Sequence, residues 1–168
     1  MNYIGIDLGT SAVKLLLMEG SGKILKIVSR EYPICFPKPG WSEQNPYDWF
    51  TQSMDGLKEL LDGTDRSLVA GISFGGQMHG LVLWMKNNEP ENFAKIHKIM
   101  LPKDYLAFRL SGNYSTDVSD ASGTLFFDVK NRCWSEEMCE ICSIKTSWLP
   151  KVYESYEEVG TLLPELAK

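Results

Sequence analysis

The chain opens with a period of two. Ile4, Ile6 and Leu8 alternate with Gly5 and Asp7, the pattern of a half-buried strand at the very start of the sequence. Gly9-Thr10-Ser11 reads as a turn, Ala12–Met18 as a second strand, Gly20-Ser21-Gly22 as a tight turn, and Ile24–Val28 as a third strand. Strands joined by such short connections predict an antiparallel meander. The period then changes. Asn45 is placed as a helix N-cap and Pro46 at the first helical position. Trp49, Phe50, Ser53, Met54, Leu57, Leu60 and Leu61 fall on one stripe, with Gln52, Asp55, Lys58 and Glu59 facing away, which predicts a helix ended by Asp62-Gly63. Its aromatic-rich stripe is read as core packing.

Leu68–Phe74 is a short continuous apolar run, the signature of a strand buried on both faces. Strand, helix, strand in this order predicts that it joins the first sheet in parallel, with ligands bound beyond the strand ends. The run leads into Gly75-Gly76-Gln77-Met78-His79-Gly80. From there the pattern is mainly helical. Pro90 starts a short helix through Ile96, Lys103–Leu110 forms another stopped by Gly112, and Ser135 caps a last one that ends at Leu149-Pro150. The tail to Lys168 has weak periodicity, and there is no internal repeat.

Composition adds bounds. With 168 residues, 43% hydrophobic and 23% charged, the chain can build a sizeable core. A net charge of −5 argues against a nucleic-acid surface, and no basic run suits a membrane. Neither a basic leader nor a long apolar stretch is present, so a cytoplasmic protein is expected. Of the four cysteines, Cys139 and Cys142 share one face of the last helix, and His79 and His97 are not spaced as metal partners. Structural free thiols are expected rather than a metal or redox site.

Two stretches can carry chemistry. In the first, Asp7 ends a strand just before Gly9, Thr10 and Ser11. Backbone N–H groups and hydroxyls at such a turn form a concavity suited to phosphate, and a carboxylate beside it can hold a hydrated metal ion. An ordinary hairpin turn, with Asp7 bonded only to its neighbours, explains the motif equally well. The second is the loop from Gly75 to Gly80. Gln77 and His79 offer donors and acceptors suited to sugar hydroxyls; a glycine-rich turn with His79 bonded to the backbone is the alternative. Trp41 and Glu43 are read as loop packing, and Asp117 and Asp120 as capping or local hydrogen-bonding groups.

Four segments together resemble the FGGY family of sugar kinases, and within it the xylulokinases. They are YIGIDLGTSAVKLLL (3–17), PKPGWSEQNPYDWF (37–50), GISFGGQMHGLV (71–82) and LPKDYLAFRLSGNYSTDVSDASGTLFFDVKNRCWS (101–135). The resemblance implies an α/β fold of the ribonuclease H-like, actin-like ATPase superfamily: a mixed sheet opening with an antiparallel meander and flanked by helices. It implies ATP and Mg2+ as cofactors and a ketose substrate, D-xylulose, with ribulose, gluconate or glycerol as alternatives. A homodimer is compatible with it; nucleic acid and membrane are not implied. Carried over by position, Asp7 acts at the metal and the transferring phosphoryl group, and Gly9, Thr10 and Ser11 cradle nucleotide phosphate with Lys14 nearby. Gln77, Met78 and His79 meet the ketose.

Two departures stand out. The family carries several dozen residues, including part of the sugar site, where Val82 here runs into Leu83. The carboxylate that serves as base and the second, nucleotide-binding domain are also not within the 168 residues. Residues 1–168 are therefore expected to be an incomplete N-terminal kinase domain, inactive alone, or a sugar-binding fragment without the chemistry.

Overall fold

Alternation at the N-terminus becomes a sheet. β1 (Asn2–Leu8), β2 (Ala12–Glu19) and β3 (Ile24–Glu31) form the expected antiparallel meander. α1 (Pro46–Leu60) follows, and β4 (Val69–Gly76) returns to lie parallel to β1, giving the order β3-β2-β1-β4. The computed structural model describes residues 1–76 and 86–167. The chain divides into two compact units, Met1–Gln77 and Met78–Lys168.

In the first unit, register explains burial. Ile4 opposes Leu17, Ile6 opposes Leu15 and Leu8 opposes Val13, and all six are buried. α1 covers this face through Ser53, Gly56, Leu57 and Leu60. Trp49, Phe50 and Met54, expected on the buried stripe, are only half-buried. Gly56 was not part of the expected stripe, yet it is the point of closest approach. A Cβ added there would sit 2.5 Å from Leu15 Cδ1, so a bare backbone lets the helix settle on the sheet. Asn45 caps α1 as expected, its Oδ1 accepting from Tyr47 N–H at 3.0 Å. On the edge strand β3, Ile24 and Ile27 remain 53% and 61% exposed.

The second unit is built from shorter pieces. α2 (Pro90–Phe93) starts where expected but stops short of Ile96, α3 (Pro102–Ser111) is the second expected helix, and Gly112 stops α3 at φ +76°. β5 (Ser115–Asp117) is followed by α4 (Val118–Ala121), and β6 (Phe127–Asp128) pairs with β7 (Cys133–Trp134). α5 (Glu136–Cys142) precedes β8 (Lys151–Tyr153), which pairs in parallel with β5. α5 is shorter than its sequence pattern suggests. Ser143 adopts φ +57°, and Ile144 N–H turns back to Cys139 O at 2.8 Å, which closes the helix at Cys142, well before Leu149-Pro150. Cys139 and Cys142 are buried free thiols in a core with Phe126, Ile144 and Leu149. Burial, and then the neighbouring Cys142, pushes the Cys139 thiol up, away from the reactive thiolate.

One buried lysine ties α3 to β5 and α4. Lys103 Nζ lies 2.6 Å from Asp117 Oδ2, 3.0 Å from Asp104 Oδ1 and 3.2 Å from Asp120 Oδ2, and its side chain is 8% exposed. Asp117 also caps α4, accepting from the N–H groups of Ser119 and Asp120 at 2.9 and 3.2 Å. The expected capping role thus holds, with an ion-pair cluster added to it.

Candidate functional site

The site of interest lies where β1 turns into β2. Because Ile6, Leu8, Val13 and Leu15 take the buried face, Asp7 and its cross-strand partner Lys14 occupy the opposite, exposed face. Neither forms an ion pair among the described residues. In the parallel pairing Asp7 opposes Gly75 and Leu8 opposes Gly76. The carboxyl-terminal ends of β1 and β4 therefore share one edge of the sheet, as the strand–helix–strand order predicts. Gln77, Met78 and His79, like the Val82–Leu83 junction, lie outside the described residues.

The turn itself is tight. Gly9 N–H donates to Ala12 O at 3.0 Å. A Cβ at Gly9 would stand 3.1 Å from that same oxygen, closer than ordinary contact. Three bonds approach from the segment after β3: the Tyr32 hydroxyl donates to Gly9 O, Tyr32 N–H donates to Ser11 O at 3.1 Å, and Gln44 Nε2 donates to Thr10 O at 2.6 Å. The N–H groups of Thr10 and Ser11 have no acceptor among the described residues. Burial, and then the negative charge of Asp7, pushes Tyr32 up to about 12.

The structure thus brings together Asp7, Gly9, Thr10, Ser11 and Lys14. An exposed carboxylate beside two hydroxyls is a set of hard oxygen donors, which fits Mg2+ with several waters retained. Adjacent N–H groups and Lys14 fit phosphate oxygens. Tyr32 and Gln44 belong to the same assembly; Tyr32 lies outside the four segments of family resemblance, and Gln44 lies inside the second of them, where the resemblance gives it no role. One follows the third strand directly, and the other precedes the helix N-cap.

Sequence comparison decides what kind of protein carries this turn. The sequence matches the N-terminal domain of the FGGY family of carbohydrate kinases over residues 2–87 and again over 80–168. The chain belongs to that family. Among FGGY relatives, the xylulose kinase of Bacillus subtilis (strain 168) is 35% identical over 222 aligned positions, covering 99% of this chain and 44% of that protein. The xylulose kinase of Escherichia coli (strain K12) is 32% identical, with 99% of this chain and 45% of that protein covered. The chain therefore spans less than half the length of these relatives.

Solved FGGY structures agree in fold. A xylulose kinase from Brucella ovis superposes with a TM-score of 0.94 at 29% identity, over 99% of this chain and 46% of that one. A gluconate kinase from Lactobacillus acidophilus gives 0.92 at 26% identity, over 98% and 44%. The fold is the ribonuclease H-like fold of the sugar kinases.

Proposed function

We propose that this chain is the N-terminal, sugar-side part of an ATP-dependent xylulokinase, which phosphorylates D-xylulose to D-xylulose 5-phosphate. The observation that carries the reading is the Asp7–Ser11 turn: an exposed carboxylate beside two N–H groups with no acceptor among the described residues, within a chain similar throughout to xylulose kinases. Residues 1–168 are read as one partial kinase domain. The alignments run over 222 positions against 168 residues here, which supports a segment lacking near Val82–Leu83.

Phosphoryl transfer depends on positioning and on neutralising charge rather than on covalent steps by the protein. Asp7 would hold Mg2+ here, and the ion would supply positive charge to offset the charge that develops on the phosphate oxygens. Gly9 allows the close approach of the backbone, Thr10 and Ser11 receive the phosphate oxygens, and Lys14 adds positive charge at the rim. Gln77, Met78 and His79 are assigned to the hydroxyls of the ketose. No carboxylate in the chain is assigned as the base that deprotonates the attacking hydroxyl. The isolated chain is therefore read as inactive, and the chemistry as belonging to a longer cytoplasmic protein, free to form a homodimer. Among the described residues no helix is long and apolar enough to cross a membrane.

The test is a panel of D-xylulose, D-ribulose, gluconate and glycerol offered to the longer protein, with ADP release as readout. Turnover with D-xylulose at the highest kcat/KM is expected, and D7N should lower kcat by about 100-fold or more. Turnover of ATP with none of the pentuloses overturns the assignment. A specific observation keeps a second sugar in play: the gluconate kinase matches the fold with a TM-score of 0.92, so preference for gluconate is the alternative outcome.

A further inference from the structure

One strap of chain grips every carbonyl of the phosphate turn. The Tyr32 hydroxyl takes Gly9 O, Gln44 Nε2 takes Thr10 O at 2.6 Å, and Tyr32 N–H takes Ser11 O at 3.1 Å. The strap between these two residues is closed on itself. Cys35 and Glu43 exchange both backbone hydrogen bonds, each at 2.8 Å. Gln44 is then fixed from both sides, because the next residue is Asn45, the N-cap of α1.

A trans peptide unit is planar, with its C=O and N–H pointing in opposite directions. Anchoring the Gly9 carbonyl to the strap therefore turns Thr10 N–H away from it. Anchoring the Thr10 carbonyl does the same for Ser11 N–H. These are the two N–H groups without an acceptor among the described residues. An unanchored turn would be free to rotate a carbonyl, with its partial negative charge, toward an incoming phosphate.

We propose that Tyr32 and Gln44 are positioning residues of the nucleotide-phosphate turn, fixing its carbonyls so that Thr10 and Ser11 present their N–H groups to phosphate oxygens. The inference rests on reading Asp7–Ser11 as that turn. Tyr32 is suited to the role because its ring is packed into the protein, the residue being only 6% exposed, so its hydroxyl is held in one place against Gly9 O. Gln44 acts on the middle peptide, which Tyr32 does not reach.

The experiment is an amide NMR titration of the 168-residue chain with inorganic pyrophosphate in the presence of Mg2+. It is run on the wild type, Y32F and Q44M, with the urea midpoint of each measured alongside. In the wild type the Thr10 and Ser11 amides are expected to move on titration. Loss of one anchoring hydrogen bond should raise the pyrophosphate Kd about threefold to tenfold in each variant. In Q44M, whose side chain keeps nearly the same length, the rise should come at an unchanged urea midpoint. A merely structural role would move affinity and midpoint together, and that result in both variants overturns the inference. Variants that bind within about twofold of the wild type overturn it while leaving the phosphate turn standing. A wild type whose Thr10 and Ser11 amides do not respond overturns the phosphate-turn reading itself, and the inference falls with it.

Discussion

Replacing Lys103 by Met is the most severe single test of how the second unit holds together. Methionine keeps an unbranched stem of similar length and removes only the ammonium. In the native chain that ammonium stands 2.6, 3.0 and 3.2 Å from Asp117, Asp104 and Asp120, with the lysine side chain 8% exposed. Asp104 is itself 3% exposed, and the other two are 20% exposed. Three carboxylates thus share one cation in a site that water reaches poorly. Removing one member of a buried ion pair costs about 3–5 kcal/mol, because the partner is left charged and unpaired. The same loss at an exposed pair would be about 0–1 kcal/mol. Typical domains hold only about 5–15 kcal/mol of stability in total, so K103M should lose a large share of it at neutral pH. The assay is urea denaturation at pH 7 and again near pH 4.5, followed by tryptophan fluorescence, with Trp41 and Trp49 replaced by Phe so that the first unit does not contribute. The deficit should shrink in acid, where protonation removes the mutual repulsion that the variant cannot neutralise. A deficit below about 1 kcal/mol at pH 7, or one that does not change with pH, refutes the buried-cluster argument.

Other outcomes follow from particular side chains. Burial works to raise Asp117, yet the hydrogen bond and charge of Lys103, with help from Ser155 and Ser119, hold it below the usual carboxylate range. Its contribution is therefore present above the ordinary carboxylate pKa and is lost as pH falls through its depressed value. Burial pushes Asp104 up despite Lys103, so its contribution is present at low pH and is lost as pH rises through its raised value. At pH 7, D117N should therefore cost about 1–3 kcal/mol and D104N less; urea midpoints in the reverse order would contradict this. For G56A, a gain of about 1 kcal/mol in helix propensity competes with overpacking of about 1–3 kcal/mol, because the new Cβ meets Leu15 Cδ1 at 2.5 Å and Leu15 is fully buried. A net loss in thermal stability is expected, partly recovered by adding L15V, and a stabilised G56A would show that the helix moves freely on the sheet. N45A removes the acceptor for Tyr47 N–H and should cost about 1 kcal/mol, read from the same urea curves.

What the sequence alone determined is local. The alternation of Ile4, Ile6 and Leu8 with Gly5 and Asp7, the short turns, and the 3.6-residue stripe after Pro46 fixed the meander, the helix and the parallel return of β4. Period and turn chemistry act within a few residues, so they are readable without coordinates. The Asp7–Ser11 turn was legible for the same reason: strand and turn are adjacent, and the register of a hairpin follows from its loop.

Tertiary structure decided what depends on distant partners. The two- and three-residue strands β5 to β8 are too short to show any period, and they exist only because each finds its mate across the second unit. α5 was expected to run to Leu149-Pro150, with the proline as its stop. It stops at Cys142 because Ser143 turns left-handed. The helical stripe gave Gly56 no role, and only the sheet beneath it shows why a side chain does not fit. Tyr32 and Gln44 lie 23 and 34 residues from the carbonyls that they hold. Lys103 and Asp117 are 14 residues apart. Contacts over such separations depend on how the chain folds back and on which groups burial leaves in need of a partner, and neither is written in the spacing of residues.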